Sequence, residues 1–127
     1  SMNAEDFRRV ALDQPEAEER SHLGKADFRV RNRIFASLPA PDLAVIKLTP
    51  AEQAVVCQAE PAVFRPVKGG WGRQGWTEIL LEMADEQALL SACRMGWRNA
   101  APSSLRRRHE GRDGRLTLSS GRPGRPE

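Results

Sequence analysis

Three short segments between residues 27 and 48 carry apolar side chains at every second position, and the links between them are too short to hold a helix. Phe28 and Val30 alternate with Asp27, Arg29 and Arg31, while Ala44, Ile46 and Leu48 alternate with Leu43, Val45 and Lys47. A period of two belongs to a half-buried strand, whose successive side chains point to opposite faces. Short links join antiparallel neighbours, because a parallel connection needs a crossover of about a dozen residues or more. Such a chain builds an antiparallel sheet, and its other elements must cover that sheet.

The segments can be placed. Glu16–His22 reads as a polar first strand, and Asp27–Arg31 as the second. Arg31-Asn32 reads as a tight turn, because Asn tolerates positive φ. Arg33–Leu38 returns as the partner strand. Pro39–Asp42 is a loop, Leu43–Leu48 the next strand, Lys68–Gly75 a glycine-rich loop, and Trp76–Met83 a last strand with Ile79, Leu81 and Met83 on one face.

Helix signals punctuate this series. Asn3 is a good N-cap for a helix over 4–12. Thr49-Pro50-Ala51-Glu52 combines a capping box with proline at the first helical position, opening a helix over 50–59. Asp85 caps a helix over 86–100, where Leu89, Ala92, Cys93, Gly96, Trp97 and Ala100 form one apolar stripe. The fold class is therefore α+β, an antiparallel sheet with helices packed against it. The expected core includes Phe28, Ile34, Ile46, Ile79, Leu89 and Trp97.

At 127 residues the chain fits one domain that can bury a core without disulfides or metals. No apolar run approaches the roughly 20 residues needed to cross a bilayer, and no secretory pattern opens the chain. The expectation is a cytoplasmic protein with no membrane partner. Its net charge of +3 is unevenly spread. Residues 1–101 hold 13 Lys or Arg against 14 Asp or Glu, a net −1, whereas 102–127 hold 7 Arg against 3 acids. The division expected is a folded domain over 1–102 and an Arg-rich, disordered tail over 103–127, with Leu116–Leu118 able to add as a short strand.

Most catalytic chemistries find no support. Gly70-Trp71-Gly72-Arg73-Gln74-Gly75 spells G-x-G-x-x-G, but a dinucleotide site must follow a strand and open a helix, whereas this one precedes a strand. Cys57 and Cys93 both sit in apolar helical patterns and read as buried, reduced thiols. That leaves His22 and His109 without an accessible cysteine to activate. Glu18, Glu19, His22 and Asp27 lack metal-ligand spacing. Glu78 and Glu82 fall on the outer face of a strand, where nothing apolar would raise a carboxyl pKa. The reading is a protein that is not an enzyme and needs no cofactor or metal. Elemental analysis of the purified protein should accordingly find less than stoichiometric zinc, iron or other transition metal; one equivalent would overturn that expectation.

What remains is binding. Arg29, Arg31 and Arg33 cluster about one hairpin turn, and a basic hairpin can contact phosphates. Arg94 and Arg98 lie one turn apart on the last helix. Trp71 sits in the glycine-rich loop between Lys68 and Arg73, and an exposed tryptophan flanked by cations can stack on a base. Arg106-Arg107-Arg108 and the arginines beyond them can bind nucleic acid weakly by charge alone. Arg outnumbers Lys by 17 to 3, a bias that a GC-rich genome also produces.

Taken in order, four segments resemble the MmcQ/YjbR family of bacterial proteins. Phe28-Arg29-Val30 with Arg33-Ile34-Phe35-Ala36 resembles its FRV…KIFA hairpin. Ile46-Lys47-Leu48 resembles the strand before its second helix, Gly75-Trp76 its GW segment, and Cys93-Arg94-Met95 its final helix. Asn32-Arg33 stands where Gly-Lys is usual, and Cys93 where Ser is usual. The resemblance implies a compact α+β domain like the DNA-binding domain of the phage transcription factor MotA. It thus implies DNA binding or regulation without catalysis. The alternative is a protein-interaction or small-ligand module using a cleft near Trp71 and Trp76.

Overall fold

The computed structural model describes residues 1–109. Helix α1 (Ala4–Leu12) leads into four strands, β1 (Ala17–His22), β2 (Lys25–Val30), β3 (Arg33–Ala40) and β4 (Leu43–Lys47). Then come α2 (Pro50–Ala59), β5 (Phe64–Pro66), a four-residue helix α3 (Gly70–Arg73), β6 (Trp76–Leu80), a 3-10 turn at Leu81–Met83, and α4 (Glu86–Ala100). The strands form one sheet in the order β1-β2-β3-β4-β6-β5, and every neighbouring pair is antiparallel.

Local chemistry sets the ends of these elements. Asn3 with Asp6 and Thr49 with Glu52 close reciprocal capping boxes on α1 and α2, and Asp85 accepts from the Ala88 amide at the start of α4. Each box satisfies amides that have no partner inside the helix. Arg31 and Asn32 adopt φ of 49° and 66°, the pair of left-handed residues that a two-residue hairpin turn with the right twist demands.

All three longer helices lie on one side of the sheet. α4 contacts β2, β3 and β4, and α1 packs against α4 and β1. Gly96 allows the close approach of α4, since a Cβ there would stand 2.5 Å from Ile46 Cδ1 and 3.2 Å from the Phe35 carbonyl oxygen. α2 is held beside α4 by Asn99, whose Nδ2 donates to Glu52 Oε1 and to the Lys47 carbonyl. The core sits between these helices and the inner sheet face, with Phe7, Phe28, Ile46, Ile79, Leu89 and Trp97 all buried.

Several expectations need correction. Ile34 is 38% exposed, because the register shifts between Phe28 and Arg29 and one extra β3 residue enters the ladder. The bulge turns Ile34 to the outer face opposite Arg29 and leaves Phe35 fully buried. The last strand stops at Leu80; Leu81 is buried but Met83 is exposed, and Glu82 belongs to the 3-10 turn rather than the strand. The glycine-rich loop contains α3. Cys57 is only half-buried, on a helix with no fully buried residue. Order also extends past 102. Residues 103–109 are helical, Leu105 is buried, and the His109 ring meets Trp97 edge-on at 5.9 Å. The proposed strand over 116–118 and the rest of the tail lie outside the described residues.

Candidate functional site

The outer face of the sheet carries no helix longer than α3 among the described residues. Its side chains follow from the register. Arg20, Asp27, Ser37, Val45, Glu78 and Arg65 stand opposite one another across the six strands. Glu18, Arg29 and Ile34 form a neighbouring row, and Lys47 faces Trp76. The centre of this face holds a groove of about 560 Å³, floored by Ile34, Ser37 and Val45 and walled by Val67, Trp71 and Trp76. The tip of the β1–β2 hairpin closes its other end with His22, Leu23 and Lys25.

The segment bearing Trp71 is held in place by close backbone contacts, which account for two of the three glycines in the G-x-G-x-x-G spelling. A Cβ on Gly72 would lie 1.7 Å from the Val67 carbonyl oxygen, and one on Gly75, at φ 116°, 2.0 Å from the Leu48 carbonyl oxygen. These glycines seat a turn against the sheet; α3 is too short to present a phosphate site. Gln53 of α2 completes the anchorage, its Nε2 lying 3.0 Å from the carbonyl oxygens of Gly72 and Trp76 and 3.1 Å from Thr77 Oγ1. Thr77 in turn donates to the Gly75 carbonyl. The sequence offered no signal for Gln53, since its role depends on contacts 19 to 24 residues away. So fixed, Trp71 is 64% exposed and meets Trp76 edge-on, the centroids 6.1 Å apart. Lys47 Nζ lies over the Trp76 ring, 5.2 Å from its centroid. Trp71 is therefore the more open aromatic surface.

The candidate cations divide into two sets. Arg29 is gripped by Asp27 through two hydrogen bonds of 2.8 and 3.1 Å. Arg31 is gripped likewise by Glu16, at 2.6 and 3.1 Å, and that hydrogen bonding holds the Glu16 carboxyl below its ordinary range. Arg65 pairs with Glu78 and Arg20 with Glu18. Every acid on the outer face thus has an arginine partner. Lys25, Lys47, Lys68, Arg33 and Arg73 have no ion pair among the described residues. The chain's three lysines are all in this second set. Lys25 and Lys47 point from the outer face, and Lys68 and Arg73 flank the Trp71 turn. Arg94 and Arg98 are brought to a different place, on α4 beyond the core, where Arg98 borders a polar cleft with Glu52, Asn99 and Arg106.

Burial shifts both thiols in the same direction. Burial pushes the Cys93 thiol up to about 12, and burial also raises Cys57. Among the described residues no group of three or more His, Cys, Asp or Glu side chains could hold a metal ion, and no helix is long and apolar enough to cross a membrane.

A family model described as YjbR matches residues 12–99. The chain belongs to the YjbR family. This YjbR domain is also similar to the crystal structure of the Deinococcus radiodurans protein DR2400, which carries the family domain DUF419, with a TM-score of 0.65 and 19% identity over 76% of this chain and 77% of that one. At that identity the likeness establishes the shared fold. A search of curated proteins finds no match. The matched YjbR segment includes the whole sheet, the Trp71 turn and nearly all of α4.

Proposed function

We propose that this YjbR-family protein is a non-catalytic nucleic-acid-binding module of the cytoplasm, and that it engages its partner through the open sheet face. One observation carries the reading. Around an exposed tryptophan, Lys25, Lys47, Lys68 and Arg73 lack acidic partners among the described residues, while the acids on the same face are matched by arginines. An anionic partner supplies the missing counter-charge, and releasing its own counterions drives the association. The hairpin arginines Arg29 and Arg31 contribute less, because a phosphate would first have to displace a bidentate carboxylate. The tail arginines add attraction that is indifferent to sequence.

The test separates face from tail in the full chain. Binding of a fluorescein-labelled oligonucleotide is measured at several salt concentrations for the parent and for a variant carrying Lys25→Glu, Lys47→Glu and Lys68→Glu. The variant should bind more weakly, and the slope of log affinity against log salt should shrink by roughly 1 for each phosphate contact removed. A parent that binds nothing at low salt, or a variant with unchanged affinity and slope, overturns the proposal. A second reading, a small-ligand module, is favoured by the groove itself, whose volume and apolar walls are those of ligand sites. It gains ground if oligonucleotides fail while a small apolar acid raises the melting temperature.

A further inference from the structure

We propose that the groove receives unpaired bases of single-stranded nucleic acid, with Trp71 as the stacking platform and Lys25, Lys47, Lys68 and Arg73 holding the strand's phosphates. This rests on the function proposed above and names the form of partner it takes. The geometry separates the two forms. A duplex presents phosphates and base edges, and its stacked bases keep their faces hidden. Beyond thymine methyl groups it has little with which to fill an apolar concavity lined by Ile34, Val45, Val67, Trp71 and Trp76. A single strand can turn its bases outward and lay their faces on an aromatic ring.

The arrangement of the two tryptophans fits that use. Trp76 already has the Lys47 ammonium over its ring. Trp71 meets it edge-on and is 64% exposed. A base stacked on Trp71 would cover apolar surface that is otherwise left in water, and its phosphate would lie among cations that have no acidic partner among the described residues. The Trp71 turn is pinned by Gln53 and by the close contacts of Gly72 and Gly75, so the platform is ordered before the strand arrives. Preorganisation of this kind removes an ordering cost from binding.

The experiment compares a labelled mixed-sequence single strand with its own duplex, using full-length parent, Trp71→Ala and Trp71→Phe. The parent should prefer the single strand, and single-strand binding should quench its tryptophan fluorescence. Trp71→Ala should weaken single-strand affinity by about 5- to 100-fold, leave duplex affinity unmoved, and lose the quenching. Trp71→Phe should recover most of the affinity, since it keeps a stacking ring. Because Trp71 is largely exposed, both variants should melt with the parent. Equal affinity for single strand and duplex, or unchanged single-strand affinity in Trp71→Ala, overturns this inference. If the lysine variant nevertheless weakens binding, the function proposed above stands without it. If neither nucleic acid binds, both fall together.

Discussion

Replacing Trp97 with alanine should destabilise the protein by about 3–5 kcal/mol. The side chain is 3% exposed on α4, and its indole Nε1 donates to the Pro15 carbonyl at 2.8 Å. The substitution therefore opens a large cavity and also strips a hydrogen bond from the half-buried Pro15 carbonyl in the link between α1 and β1. Urea denaturation of parent and variant checks this directly. A Trp97→Ala protein with the parent's midpoint and slope would show that Trp97 is not part of the core.

Gly75→Ala should cost about 3 kcal/mol, for two reasons that act on the same atom. The residue's φ of 116° lies where L side chains are strained, and its Cβ would stand 2.0 Å from the Leu48 carbonyl oxygen. The neighbour is backbone and cannot swing aside. Relief requires the start of β6 to move, which carries Trp76 and the Trp71 turn with it. Thermal melting should show the loss, and near-ultraviolet circular dichroism should show altered tryptophan signals. A variant that matches the parent in both would mean that the approach of this turn to Leu48 is looser than described.

The elements whose signals are local were legible in the sequence. Both capping boxes could be read because donor and acceptor lie three residues apart, and the apolar stripe of α4 because helical spacing repeats over fifteen residues. The hairpin at Arg31-Asn32 could be read because few residues accept its backbone angles. Ile34 was misplaced for a physical reason: a single inserted residue inverts the alternation, and nothing in Arg33-Ile34-Phe35-Ala36 marks the insertion. Leu105 was assigned to the tail because a lone leucine before three arginines makes no pattern.

The site was half legible. Trp71, Lys68 and Arg73 could be found because they are neighbours in the chain. The pairing of Arg31 with Glu16 and of Arg65 with Glu78 could not, since only folding brings residues 13 to 15 apart into contact. That pairing separates cations with acidic partners from those without among the described residues, a division that a census of basic residues cannot make.

A sheet with one face free of long helices among the described residues also has two borders, and here both discourage stacking with copies of itself. At one border β1 carries Glu18, Glu19 and Arg20 in succession, so a second β1 laid alongside would bring like charges together or bury ions. At the other, β5 is three residues long and ends in Pro66, which has no amide hydrogen to offer. Both borders therefore guard a sheet that carries a greasy trough against growth into ribbons. Shortening the charged border or replacing Pro66 in an engineered derivative would remove that safeguard before it touched the trough at all.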